Sequence, residues 1–397
     1  MLRPNTAALT ALLAMLTGIG PLSVDMYLAS LPDIGRQLTA SEAEVQLSLS
    51  FYLVGFAIGQ VIYGPFSDRY GRRPILLLAL AMFIAASAAC AAAPTIEALN
   101  AARFVQAIGG AGTVVLARAV VRDLYEGLAI ARELSRMAAV MALAPLVAPL
   151  IGGVVQTYFG WRANFVVLTV FGAGSAALVW MLLAESLRKH VPEPVSMASV
   201  AGAYRTFLAH RAFLANVGIL ACAFGGLFAW ISAAAFVLQD LYGLTPLWFG
   251  VAFAVGSAGY VAGTSLAARH VTRMGIDRTL GLGTLLLAAG GVASMLAPAL
   301  GLSSSVALVL PVAVFLAGLG FTLPQAQAAA LMPFPQRAGA ASSLVGALQQ
   351  TSGALVGAIV GHLLGRTAWP LVAAIAIMGC LALALWALTR DVRKSQS

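Results

Sequence analysis

The stretch Gly64-Pro-Phe-Ser-Asp68-Arg-Tyr-Gly71-Arg-Arg-Pro74 concentrates charge in a chain that has little of it. Asp68, Arg69, Arg72 and Arg73 crowd together, and glycine and proline punctuate the run. Long apolar segments flank it, near residues 43–63 and 74–93. A polar, glycine-marked turn between two such segments reads as a tight connection at a membrane surface. A fainter copy, Thr272-Arg-Met-Gly275, stands 204 positions further on and suggests that the whole chain repeats.

Composition supports this. Of 397 residues, 61% are hydrophobic and 9% charged, and the mean hydropathy is +0.93. Soluble domains carry roughly 25% charged residues, so this chain cannot cover a water-facing surface. Twelve helical spans of about 20 residues would use roughly 240 positions and leave only short loops. That excludes a large soluble catalytic domain. Spans are expected near 7–31, 43–63, 74–93, 98–117, 133–156, 162–184, 212–238, 247–267, 279–298, 306–330, 340–364 and 369–389. The first apolar run is too long for a signal peptide and lacks a small-x-small cleavage site, so it is read as retained.

The net charge of +9 would suggest nucleic acid on a soluble protein. Here it reports topology, and no nucleic-acid partner is expected. With both termini inside, Arg3, the Arg69–Arg73 cluster, Arg118, Arg122, Arg132 and Arg136 lie on the inner side. So do Arg188, Lys189, Arg205, Arg211, Arg269, Arg273, Arg278, Arg337, Arg390, Arg393 and Lys394. Arg36, Arg162 and Arg366 remain outside. This bias follows the positive-inside rule. The longest polar stretch, Glu185 to Arg211, contains Pro192, Pro194, Ser196 and Ser199 and reads as a linker. The expected fold is therefore an all-α integral membrane protein of two six-helix halves: residues 1–187, a cytoplasmic linker 188–210, and residues 211–397. Six plus six spans with a basic inner loop after the second of each half is the pattern of a parallel-repeat transporter.

Two charges are placed inside the hydrocarbon, Asp25 in span 1 and Arg103 in span 4, both in the outer half. Each costs at least about 2.5–3.5 kcal/mol at a helix centre. At one depth they can pair. A static ion pair or a snorkelling Arg103 fits the same pattern, as does a titratable carboxylate tuned by its arginine. Gly109-Gly-Ala-Gly112 lies mid-span, with no preceding strand and no following lysine, so it reads as helix packing rather than a phosphate cradle. Gly55 and Gly59, and Gly353, Gly357, Gly361 and Gly365, recur every four residues as close-packing seams. Tyr52, Gln60, Gln106, Gln325, Gln327, Gln349 and Gln350 are polar residues within spans, free to face a cavity or to bond another helix. Cys90, Cys222 and Cys380 are far apart, and His190, His210, His270 and His362 are scattered. Neither set suggests a disulfide framework or a metal site. No Ser/His/Asp set or carboxylate pair appears in the membrane, so no enzyme and no cofactor are expected.

These residues resemble a known family. Gly64 through Pro74 resembles motif A of the major facilitator superfamily in position, spacing and topology. Arg103-Phe-Val-Gln106-Ala-Ile-Gly109 resembles motif B of its drug:proton antiporters. Ala144-Pro145 through Ala148-Pro149-Leu-Ile-Gly152-Gly153 resembles antiporter motif C, with Ala148-Pro149 in place of Gly-Pro. Leu22-Ser-Val-Asp25-Met-Tyr27-Leu, Arg122-Asp123-Leu-Tyr125 and Ala338-Gly-Ala-Ala-Ser-Ser-Leu344 resemble the Bcr/CflA subfamily, which exports bicyclomycin-type and phenicol-type antibiotics. Leu28-Ala29 stands where relatives often have Leu-Pro, so the end of span 1 is expected to bend less.

The resemblance implies an inner-membrane, proton-driven exporter of small neutral or zwitterionic drug-like molecules, working as a monomer with protons and the lipid bilayer as its other partners. Asp25 would carry the proton and Arg103 would couple to it. Asp68 would face the N-terminus of span 11. Gly64 and Gly71 would permit close approach and a tight turn, with Arg69, Arg72 and Arg122 in the same switch. Arg73 reads as a plain inner anchor. Pro145, Pro149, Gly152 and Gly153 would let span 5 bend. Tyr27, Tyr52, Phe56, Gln60, Gln106, Phe224, Trp230 and Gln325 are candidates for a cavity between the halves. A proton-coupled importer is the first rival, and the motif C-like element argues against it. A non-transporting membrane sensor would need a soluble domain, and an intramembrane enzyme a catalytic set.

Overall fold

The computed structural model describes residues 6–126, 128–187, 197–302, 304–334, 338–365 and 367–394. Arg3, Arg188, Lys189, His190, Pro192, Pro194, Ser196, Arg337 and Arg366 lie outside the described residues. The described secondary structure is helical throughout. In chain order it comprises α1 (Ala7–Asp25), a 3₁₀ turn (Leu28–Ser30), α2 (Leu31–Gln37), α3 (Glu42–Tyr70), α4 (Arg72–Ala92), α5 (Ile96–Leu124), α6 (Leu128–Phe159) and α7 (Trp161–Leu182). Then follow α8 (Met197–Ala209), α9 (Arg211–Ala235), a π-helical turn (Phe236–Leu241), α10 (Pro246–Ser294), α11 (Leu296–Ala299), α12 (Ser305–Leu331), α13 (Ala338–Leu363), α14 (Trp369–Leu388) and α15 (Arg390–Lys394).

Among the described residues, eleven helical stretches are long and apolar enough to cross a membrane, against the twelve spans expected. One of them, Pro246–Ala299, has 54 residues and resolves the difference. A straight helix of that length would measure roughly 80 Å, against a hydrocarbon core of about 30 Å. It is broken at Gly275, whose φ of 77° and ψ of 172° are not helical. Its first arm brings Gly259 and Gly263 against the carbonyl groups of Ala313 and Ala317 of α12. Its second arm brings Gly290 and Gly283 against Phe315 and Thr322 of the same helix. Both arms flank one stretch of α12, so α10 is a hairpin that supplies two spans.

The chain divides into two compact units, Met1–Ala40 with Leu47–Pro194, and Ser41–Gln46 with Val195–Ser397. In the first, Gly55 and Gly59 seat α3 against Phe104 and Ala111 of α5, and Gly109 places α5 2.6 Å, measured from an added Cβ, from the Phe83 backbone nitrogen of α4. Side chains at these glycines would force the helices apart, so these are close-packing seams. In the second unit, Gly353 and Gly357 of α13 approach Phe228 and Ser232 of α9. Gly365 departs from that pattern. It lies beyond the end of α13 with φ at +50°, has open space around it, and turns the chain rather than packing a helix.

Two helix ends correct the expected boundaries. α3 runs to Tyr70 and α5 to Leu124, so Gly64 to Asp68 sit on the last turns of α3 rather than in a loop. Hydropathy marks where a helix leaves the hydrocarbon, not where its hydrogen bonds stop. The expected linker 188–210 contains α8, whose Phe207 is fully buried with ring centroids 5.8 Å from Phe213 and 4.7 Å from Phe334. That aromatic cluster fastens the end of the linker to the second unit.

Candidate functional site

The first unit holds its charge at a break in span 1. α1 ends at Asp25; Met26 and Tyr27 keep right-handed helical angles, but the α-helical hydrogen-bond ladder is interrupted there, and a 3₁₀ turn at Leu28–Ser30 leads into α2 within one continuous span, Ala7–Gln37. Ala29 lies within the 3₁₀ turn and is buried. The last turn of a helix leaves carbonyl groups without an N–H partner. One of them, on Ser23, accepts a hydrogen bond from Arg103 Nη1 at 2.9 Å. Pro21, inside the same helix, removes a further backbone donor nearby.

Arg103 is 0% exposed. Its guanidinium lies 4.3 Å from the ring centroid of Tyr27, 4.3 Å from that of Tyr52 and 5.8 Å from that of Phe165. Its Nη1 also donates to Gln106 Oε1 at 2.6 Å. Gln106 is held in turn, because its Nε2 donates to Ser87 Oγ of α4 at 2.8 Å. Tyr27 is fixed by a 2.5 Å hydroxyl contact with Ser48, and Tyr52 donates to the Gly20 carbonyl at 3.3 Å. A desolvated cation–π contact is worth about 2 kcal/mol and a hydrogen bond to a charged group about 1.5–3 kcal/mol. Two ring faces, two acceptors and the negative end of α1 together offset a burial cost of several kcal/mol.

The expected Asp25–Arg103 ion pair is therefore absent among the described residues, although the two charges share one region. Arg103 spends its directed bond on the α1 carbonyl end, two residues before Asp25. Its Nε and Nη2 have no hydrogen-bond partner among the described residues. Asp25 is 5% exposed and closes the helix. The sequence could show that both residues are deep, but not that a helix end lay between them.

Three expected cavity residues, Tyr27, Tyr52 and Gln106, are instead packed onto Arg103. Phe56 and Gln60 of α3 are half-buried, as is Phe224 of α9. Trp230 is fully buried and stacks on Phe253 at 5.8 Å, its indole N–H without a hydrogen-bond partner among the described residues, and Gln325 of α12 is buried.

The charged turn after α3 forms a second network. Gly71 has φ 98° and ψ 151°, a conformation essentially restricted to glycine. Having no side chain, it cannot cap α4. Glu185 does so from beyond α7, accepting the Arg72 and Arg73 backbone N–H groups at 3.0 and 3.1 Å. A carboxylate at a helix N-terminus is also favoured by the helix dipole. Arg72 is the hub. Its Nη1 meets Asp68 Oδ1 at 2.6 Å and Ser67 Oγ at 2.6 Å, and its Nε meets Asp123 Oδ2 at 2.9 Å. Ser186 Oγ donates to the same Asp123 oxygen.

Several assignments at this turn change. Gly64 has open space around it, so close approach does not explain it. Arg69 is exposed over the Tyr70 ring, and Arg122 is exposed while its neighbour Asp123 takes the ion pair. Arg73 is more than an anchor: it donates to the Trp180 carbonyl at 2.7 Å and lies over that ring. Glu185 and Asp123 were not picked out as members of the switch. They come from distant positions, and nothing local in the sequence marks them as partners of Arg72 and the Gly71 turn.

α6 carries Pro145 and Pro149 inside a continuous helix, and the buried Gly152 and Gly153 follow. A methyl group at Gly152 would occupy the space of the Met26 carbonyl oxygen, so α6 rests directly on the break in span 1. Glu133, at the other end of α6, is also buried; its Oε2 accepts from Arg136 at 3.2 Å.

This is a multi-pass helical membrane protein that buries Asp25 and Arg103 near the interruption in span 1. The Major Facilitator Superfamily model matches residues 13–357, and the chain belongs to that family, whose members are transporters and not enzymes. It is 34% identical over 362 residues to "Uncharacterized MFS-type transporter YdgK" of Bacillus subtilis (strain 168), covering 89% of this chain and 88% of that protein. It is 32% identical over 359 residues to "Bicyclomycin resistance protein homolog" of Haemophilus influenzae, covering 90% of each. Among solved structures, that of a D-xylose-proton symporter matches with a TM-score of 0.75 at 16% identity, over 96% of each chain.

Proposed function

We propose that this transporter is a proton-coupled exporter of the Bcr/CflA type in the cytoplasmic membrane, moving small neutral or zwitterionic drug-like molecules outward in exchange for protons. One observation carries the reading: a carboxylate, Asp25, buried where the hydrogen-bond ladder of span 1 is interrupted, two residues after the Ser23 carbonyl that binds a buried arginine making no ion pair with it. An ionised carboxylate kept from water is costly unless paired. Its charge is therefore linked to which side of the membrane it can reach, and that link is the core of an exchanger. The motif C-like helix resting on the break, and the relative named for bicyclomycin resistance, support export rather than uptake.

In this cycle Asp25 takes a proton from the outer side and releases it inward. Arg103 holds the end of α1 through the Ser23 carbonyl and so fixes the backbone that carries the carboxylate. Phe56, Gln60, Phe224, Trp230 and Gln325 remain the proposed substrate-facing residues. The Arg72 network holds the inner turn, and α6 bends at its prolines.

Everted membrane vesicles acidified by ATP hydrolysis test this reading, with bicyclomycin and chloramphenicol as probes. Uptake that collapses with a protonophore and is lost in Asp25→Asn supports it. Efflux from such vesicles, or normal uptake by Asp25→Asn at equal expression, refutes it.

A further inference from the structure

The turn that carries Asp25 is held by residues that the exchange reaction does not itself use. Gly152 of α6 lies under the carbonyl of Met26, the residue immediately after Asp25. Asn164 of α7 is 0% exposed, and its Nδ2 donates to Ser30 Oγ at 3.0 Å and to the Gly152 carbonyl at 3.4 Å. Ser30, equally buried, donates to Gln156 Oε1 at 2.6 Å. Gln156 then donates to Asp33 Oδ2 of α2 at 2.9 Å. Met26 and Ser30, at the two sides of the break, are thus fastened to α6 and α7.

From this geometry we infer that Gly152 and Asn164 are positioning residues for Asp25, clamping the break in span 1 so that bending of α6 moves the carboxylate's own backbone. The inference rests on the exchanger reading above. Its physical basis is stiffness. Pro145 and Pro149 each remove a backbone hydrogen bond and weaken α6, and Gly152 follows less than one turn after Pro149. The contact at Gly152 is backbone on backbone, with no flexible side chain to absorb a displacement. The amide of Asn164 ties the same peptide of α6 to the resumed helix, so both sides of the break move with α6. Asp25, the last residue of α1, sits between a fixed helix and a carried turn.

The charged and titratable groups around Asp25 are Arg103 of α5, Tyr52 of α3 and Tyr27 on its own segment, with Cys90 of α4 beside Arg103. α6 and α7 contribute Gly152, Gln156, Asn164 and Phe165, none of which titrates, and Asp33 joins through Gln156. A change in Asp25 caused by altering Asn164 or Gly152 therefore acts through position, not through a removed charge.

The test uses purified full-length protein and the carboxylic-acid C=O stretch in infrared difference spectra over a pH series, with Asp25→Asn assigning the band. Gly152→Ala and Asn164→Leu should move the midpoint of that band by on the order of half a pH unit or more, about threefold in proton affinity. Gln156→Met, which keeps side-chain length but loses both hydrogen bonds, should move it the same way. Thr169→Val on α7, where only a bond to the Phe165 carbonyl is lost, should leave it in place. If Gly152→Ala does not insert, the Asn164 and Gln156 variants decide. An unchanged midpoint in those variants, with the band still absent in Asp25→Asn, overturns the clamp and leaves the exchanger reading standing. A band that survives Asp25→Asn overturns the exchanger reading, and the clamp falls with it.

Discussion

The turns at Gly71 and Gly275 share a backbone and differ in almost everything else. Both glycines have positive φ, 98° and 77°, and extended ψ, and each joins two long helices with one residue. Around Gly71, Arg72 binds Asp68 and Asp123 while Glu185 caps α4. At the corresponding positions around Gly275 the chain has Thr272 for Asp68 and Ile276 for Arg72. The second turn is held instead by Asp277, which accepts Arg393 Nε at 2.9 Å and, through its carbonyl, the Trp386 indole N–H at 3.2 Å. Arg393 is further anchored on Thr389. The repeat keeps the geometry of the turn and confines the dense ion network to the first unit, which also carries Asp25 and Arg103. What two related halves share is the fold. What only one carries is the candidate for chemistry.

That asymmetry is broken most directly by removing the acid. Asp25→Asn should reduce proton-driven export to background while the protein still inserts and substrate counterflow survives. Transport in everted vesicles checks both. The contrast requires that neutralising Asp277 in the second unit does nothing comparable.

Arg103→Ala should come next. It removes a charge-assisted hydrogen bond worth about 1.5–3 kcal/mol and leaves Gln106 and two tyrosine faces without their cation. The expected loss in export is roughly tenfold to a hundredfold. Arg103→Lys should retain more, because an ammonium can still cap the α1 carbonyl end and sit on the rings, although it lacks the planar fork. Equal activity of the two variants would mean that Arg103 has no directed role.

Most of the span pattern was legible because burial in lipid imposes a simple rule on composition. The two deep charges were legible for the same reason. Their mutual geometry was not, since a helix end is a matter of hydrogen bonds and leaves no mark on hydropathy. Asn164 and Gln156 were missed because an amide at the outer end of a span looks the same whether it faces water or clamps a neighbour. Glu185 was visible only as the first residue of a polar stretch, and nothing local connects it to Gly71.

Smaller effects sharpen the comparison of the turns. Gly71→Val and Gly275→Val should each cost about 1–3 kcal/mol of strain, since both backbones are restricted to glycine. Thermal unfolding in detergent should show similar losses. Transport should fall further in Gly71→Val, where the displaced turn also disturbs the Arg72 network. Equal transport defects would remove the functional distinction between the halves. Asp277→Asn should have the least effect, about 0.2–1 kcal/mol as for a partly exposed ion pair, with export near wild type.

The one-residue turns also limit how the protein can move. A residue spans at most about 3.6 Å, so two helices joined by Gly71 alone, or by Gly275 alone, have almost no slack at that end. Neither partner can slide along the other by even one helical turn of 5.4 Å without tearing the connection. α3 with α4, and the two arms of α10, are kinematically coupled levers that pivot as pairs about a glycine. An epitope or protease site inserted at either glycine would supply the missing slack, and would let helices that now swing together drift apart.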